Sequence, residues 1–143
     1  MNLFFRVFIS LCASILFSSV CLAGPEKAGV EFTTEQICKA GLALLYGRDS
    51  ATMQASSTSD YVVIKYTRPT DAKKMSYRCK LDKFYILTWD ESIADARWYG
   101  NLPSDTKLVF EVSHGKLLVQ DLIKGAINKE KLYTPESLKK NIK

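Results

Sequence analysis

The feature that most constrains this chain is a seven-residue alternation, Met75-Ser76-Tyr77-Arg78-Cys79-Lys80-Leu81. Met75, Tyr77, Cys79 and Leu81 share one parity, and Ser76, Arg78 and Lys80 the other. Strand side chains alternate faces with a period of two, so the pattern predicts a half-buried strand with one apolar and one wet side. Cys79 lies on the apolar side and must point at whatever packs there.

The flanking runs extend the sheet. Tyr61 to Thr67 reads as one strand, with Val62, Ile64 and Tyr66 opposed to Tyr61, Val63, Lys65 and Thr67. Phe84 to Trp89 reads as another, returning through a tight Asp82-Lys83 turn that would pair Leu81 with Phe84 and Cys79 with Ile86. Further on, Lys107 to Ser113 and Lys116 to Leu122 are joined by His114-Gly115, whose second-position glycine suits a two-residue hairpin. Arg97-Trp98-Tyr99 is a candidate short strand between them. Ala55 to Ser59, rich in serine, reads as a flexible connector.

Ahead of the sheet stands a helix with clear ends. Thr33 and Gln36 have capping-box spacing, Phe32 and Ile37 form a hydrophobic staple, and Gly47 is the natural stop. Ile37, Ala40, Leu44 and Leu45 form a core-facing stripe, widened by Cys38 and Leu42. Cys38 is therefore the partner expected for Cys79. A bridge between them closes a loop of about 40 residues and contributes roughly 4 kcal/mol in the loop-entropy account. Thr134-Pro135-Glu136 reads as the start of a short C-terminal helix. The expected fold is α+β: an N-terminal helix on an antiparallel meander of about five strands, with partial closure into a barrel as one form of it.

The disulfide reading needs an oxidising compartment, and the N-terminus supplies one. Residues 1–23 have the layout of a secretory signal: Arg6 without acids, an apolar run from Val7 to Val20, then Cys21-Leu22-Ala23 before Gly24. The run is shorter than the roughly 20 residues of a spanning helix. Acylation of Cys21 is an alternative, against which Val20 is a poor fit. Cleavage removes Cys12 and Cys21 and leaves about 120 residues, one domain in size. The expected organisation is signal 1–23, domain 24–123 and a lysine-rich tail 124–143, in a periplasmic or secreted protein.

Charge places the basic character in that tail. The net charge is +5, yet residues 24–123 hold 13 basic and 13 acidic side chains. Six lysines against Glu130 and Glu136 follow from Lys124 onward. The tail is expected to be solvated, or to touch an anionic envelope surface.

Catalytic patterns are sparse. His114, the only histidine, sits at a hairpin tip without a positioned partner. Asp90, Glu91 and Asp95 lie beside Trp89 and Trp98, a composition compatible with a glycan site but with no spacing that selects them. Ser137-Leu138-Lys139-Lys140 matches Ser-x-x-Lys literally, at an unshielded chain end. No phosphate loop or calcium loop occurs, so no cofactor or metal is expected.

The second sheet face is more informative. Tyr61, Val63, Tyr85, Leu87 and Trp89 share the parity opposite the helix, with Lys65, Arg78 and Lys80 around them. Large apolar residues on a wet face require cover. The later hairpin or the tail folding over as a second layer is the expected cover. Otherwise Tyr61, Val63, Arg78, Tyr85, Leu87 and Trp89 form a binding face with interface composition. Export argues against nucleic acid as the partner. The order of parts resembles that of small bacterial periplasmic proteins, among them inhibitors, immunity proteins and envelope-assembly factors. The expected function is non-catalytic docking of another exported or envelope protein, as an inhibitor or immunity-type factor. A small envelope enzyme acting on glycans and a structural envelope component are the alternatives.

Overall fold

The computed structural model describes residues 31–139, so the segment expected to be a signal lies outside the described residues. The first element is helix α1, Thr34–Tyr46. Seven strands follow: β1 Gln54–Ser57, β2 Val62–Thr67, β3 Lys74–Asp82, β4 Tyr85–Asp90, β5 Lys107–Ser113, β6 Lys116–Ile123 and β7 Ala126–Tyr133. They form one antiparallel sheet in sequence order, and the sheet is open rather than a closed barrel. The fold is α+β, with seven strands where about five were expected.

The helix begins and ends where its local chemistry dictates. The Thr33 side chain accepts from the Gln36 N–H, and the Gln36 side chain accepts in return from the Thr33 N–H. Gly47 ends the helix at φ 62°, a left-handed conformation that carries little cost without a Cβ. Residues Ile37 to Leu44 are all buried, Lys39 included. The sheet explains this, because it curls so that α1 touches every strand. The Cys38–Cys79 disulfide, with Cα atoms 5.9 Å apart, joins the helix to the centre of β3.

Both additional strands escaped the periodic pattern. Ala55 to Ser57, expected as part of a flexible connector, form β1 together with Gln54 and pair in register with Val62–Lys65. Only Ala55 packs against the core from it, so no alternation marks it. Past the boundary expected at 123, Lys124-Gly125 makes a turn with both residues at positive φ, and β7 returns along β6. The lysines expected in a tail thus lie partly on an edge strand, where charge discourages pairing between sheets. β7 is exposed along its length except Tyr133, whose hydroxyl donates to the Ala40 carbonyl at 3.2 Å.

The expected C-terminal helix is only a 3-10 turn, Glu136–Leu138. It stops after one turn because Lys139 turns extended and Leu138 is buried against the helix. There the Leu138 carbonyl accepts from Lys39 Nζ, and the Ser137 carbonyl accepts from Ser50 Oγ.

Two hairpins test register. The β5–β6 turn is His114-Gly115 as expected, both at positive φ, and it pairs Val112 with Leu117 and Phe110 with Val119. The β3–β4 turn is Lys83-Phe84 rather than Asp82-Lys83, so Leu81 pairs with Ile86 and Cys79 with Thr88. Lys83 takes the left-handed position at φ 55°. Sliding by two residues preserves every side chain's face, and it places Phe84 at the turn, 51% exposed, while Ile86 lies under α1.

Three tyrosines are tied into this core. Tyr77 lies between Tyr46 and Tyr66, with ring centroids 4.8 and 6.0 Å away. Burial, then the Asp90 charge, pushes the Tyr46 phenol up to about 12, and burial does the same for Tyr133. Folded pKa values above the ordinary value near 10 mean that unfolding favours ionisation, so stability falls as pH rises past about 10. Absorbance at 295 nm should show Tyr46 and Tyr133 ionising only near 12, and their replacement by Phe should remove that late phase.

Candidate functional site

Among the described residues, no second layer of strands or helices lies over the face of the sheet away from α1. The later hairpin, expected as a cover, instead prolongs the same sheet edgewise, because β5 hydrogen-bonds to β4 through Tyr85–Val109 and Ile86–Leu108. The sandwich alternative is therefore replaced by a single curled layer with one helix in its concave side.

Register brings the sequence-selected residues together on this face. Val63, Arg78 and Trp89 lie side by side across β2, β3 and β4. The Arg78 guanidinium stands 4.9 Å from the Tyr61 ring centroid and 5.6 Å from that of Trp89. Its Nε donates to Glu91 at 2.7 Å; a hydrogen bond from Ser76, and then this one, hold the Glu91 carboxyl below its usual range. Trp98 completes the cluster, edge-on to Trp89 at 5.6 Å and 6.4 Å from Tyr61. Lys80 Nζ lies 4.4 Å over the Trp98 ring. Such cation–ring contacts at half-exposed sites contribute about 0.5–1 kcal/mol each and hold the rings in place.

Not all six predicted residues are surface. Tyr61, Val63, Arg78, Tyr85 and Trp89 are half-buried, whereas Leu87 is 5% exposed. Gly100 lies so close that a Cβ there would stand 3.2 Å from Leu87 Cδ2. The 91–106 loop thus covers Leu87 and leaves it as packing beneath the cluster. Tyr85 sits apart from the tryptophans, beside Phe84 at 4.3 Å and Lys107 at 6.0 Å. From Tyr85 the apolar surface continues over Val109, Leu118 and Leu122, which line a shallow concavity of about 550 Å³.

Trp98 was separated from this face by a loop without periodicity, and only the fold brings it in. Arg97 to Tyr99 is not a strand but a single bridge, with Tyr99 and Thr88 exchanging backbone hydrogen bonds of 2.8 and 3.2 Å. Asp105 secures the loop. Its carboxylate accepts from both terminal nitrogens of Arg97 at 2.6 and 2.9 Å, from Gly100 N–H at 3.0 Å and from Leu102 N–H at 2.9 Å. Lys107 Nζ donates to the Gly100 and Leu102 carbonyls.

The Arg97 guanidinium, helped by the two amides, holds the Asp105 carboxyl far below the usual carboxylate range. A depressed pKa contributes stability above the unfolded value near 4, lost as pH falls through the folded value. Asp105→Asn should therefore lower the urea midpoint at pH 7 and flatten its dependence between pH 5 and 2. Tryptophan fluorescence reads both unfolding and Trp98 release. An unchanged acid limb would exclude Asp105 as its source.

The acids considered for glycan chemistry are engaged separately. Asp90 Oδ1 accepts from Ser92 N–H and Oγ, and Glu91 turns to Arg78. Asp95 is exposed on the loop. His114 is an exposed turn residue whose Nδ1 lies 2.7 Å from Ser113 Oγ. Among the described residues, no group of three or more His, Cys, Asp or Glu could hold a metal ion. Compared with known proteins, the chain matches no family model, no curated protein and no solved structure.

Proposed function

We propose that this chain is an exported, non-catalytic binding protein that docks another protein through the outer face of its sheet, as an inhibitor or immunity-type factor. The observation that carries this reading is the Tyr61–Arg78–Trp89–Trp98 cluster. Aromatic rings with an interleaved arginine, pre-ordered on a rigid strand platform, have the composition of an interface centre, and pre-ordering reduces the entropy lost on docking. The rim sets the partner's charge. Lys65, Arg78 and Lys80 stand with Glu91 around the cluster, while Asp82, Glu111 and Glu130 share the face farther along the sheet with Lys107 and Lys116, so the complementary surface is acidic where it meets the aromatic centre. Export to the periplasm or beyond the cell is supported by the N-terminal pattern and agrees with the disulfide.

Capture from envelope extract tests this reading with a matched set of variants. Trp89→Ala and Arg78→Glu should each reduce retention of a captured acidic protein about 30-fold, as loss of an interface hot spot does. Lys129→Ala, on the opposite side of the sheet, should leave it unchanged. Retention should also fall with added salt. Equal recovery by Trp89→Ala, Arg78→Glu and the unaltered chain would overturn the docking face.

A further inference from the structure

On the opposite side of the sheet from the aromatic cluster, β4 and β5 separate. They pair only at Tyr85–Val109 and Ile86–Leu108, and beyond Ile86 the partner of β4 is Tyr99. The divergence opens a cleft of about 510 Å³ beneath the C-terminal end of α1. A volume of this size lies within the range of small-molecule sites, about 300–1,000 Å³. Leu45, Ile86, Ile93 and Leu108 supply apolar walls, with Tyr46 and Tyr99 adding rings.

Among the described residues no lysine or arginine lines the cleft, and its charged side chains are Asp90 and Asp105. Arg97 lies behind the wall, 4.3 Å over the Tyr99 ring and paired to Asp105, which leaves Asp90 as the uncompensated charge. Asp105 is consumed by Arg97 and two amides, as above. Asp90 is held through Oδ1 by Ser92, which orients the carboxylate and leaves Oδ2 for a ligand. The last turn of α1, which forms the roof through Leu45 and Tyr46, contains no basic residue. Its carbonyl ends add partial negative charge. Arg48 follows that turn but does not line the cleft.

The geometry points to a binding site for a small organic cation: an aromatic or branched apolar body seated against Leu45, Ile86 and Leu108, with an ammonium group at Asp90. The site is distinct from the docking face and does not depend on it. The two share strand β4, whose alternate residues face opposite sides, and the 91–106 loop, which presents Trp98 to one side and Tyr99 to the other.

Titration of the folded, disulfide-bonded protein with tryptamine tests this, followed by amide chemical shifts. Saturable shifts are expected at Tyr46, Thr88, Tyr99 and Thr106, with a dissociation constant below about 1 mM, the weak end of specific recognition. Indole-3-propionate, which presents a carboxylate in place of the ammonium, should bind at least tenfold more weakly. Asp90→Asn should bring the two compounds within about threefold of each other. Ser104→Trp, a change at an exposed position on the cleft wall, should abolish binding while far-ultraviolet circular dichroism stays unchanged. The absence of saturable shifts, shifts confined to Trp89 and Trp98, equal binding of amine and acid, or no effect of Asp90→Asn would each overturn the proposal.

Discussion

Replacing Cys38 and Cys79 together by alanine is expected to lower the stability of this domain by about 4 kcal/mol, the cost of releasing a loop of this length in the unfolded chain. For a domain of roughly 110 residues this corresponds to a fall in Tm of about 15 °C. The sulfurs bridge residues separated by 41 positions, and both cysteines are fully buried in one cluster with Leu42, Ile64 and Ile86. The reduced wild type should match the double variant, because both lose the same constraint. Calorimetry with and without reductant provides the check. If the Tm of the double variant stays within a few degrees of the oxidised protein, the bridge is not what holds the helix on the sheet.

Substituting Gly41 by leucine should be nearly as damaging, and for a packing reason. On an exposed helical position the change would raise helix propensity by about 1 kcal/mol. At Gly41 a Cβ alone would stand 2.7 Å from Ile86 Cδ1 and 3.1 Å from Ile86 Cγ2. Ile86 is itself 1% exposed and fixed between Leu81 and Leu108 on neighbouring strands. Room requires Ile86 to leave its rotamer or the helix to lift, and overpacking of this kind costs about 3 kcal/mol. Gly41→Leu together with Ile86→Ala should recover most of that loss, since the second change removes the atoms in the way. Urea unfolding of the two single variants and the double variant measures the coupling. A Gly41→Leu protein as stable as wild type would mean that α1 does not cross β4 this closely.

The helix and the central strands were legible because their information is local. Thr33, Gln36 and Gly47 act within one turn of the residues they cap. β3 shows strict alternation because one of its faces lies under α1. His114-Gly115 announced its hairpin through φ > 0 chemistry. Lys124-Gly125 carries the same signature, but the strand it introduces is exposed on both faces except at Tyr133, so hydrophobic period has nothing to report there. β1 was hidden for a similar reason, being four residues long with one partly buried apolar residue.

The candidate site divides along the same line. That Tyr61, Val63, Arg78, Tyr85 and Trp89 share a face follows from parity, which a two-residue slip of the β3–β4 hairpin leaves intact. That Leu87 is covered and Trp98 recruited follows from the 91–106 loop, whose course is set by Asp105, Arg97 and Lys107 meeting across as many as ten residues of chain.

By itself, the order of residues determined the capped helix, the buried strands and the cysteine pairing, since each depends on neighbours in the chain or on burial of one face. The tertiary structure alone decided that the sheet stays a single open layer, that the 91–106 loop covers only part of its outer face among the described residues, and that β4 and β5 part to form a cleft. Those outcomes rest on where distant segments come to lie, and no local pattern encodes that position.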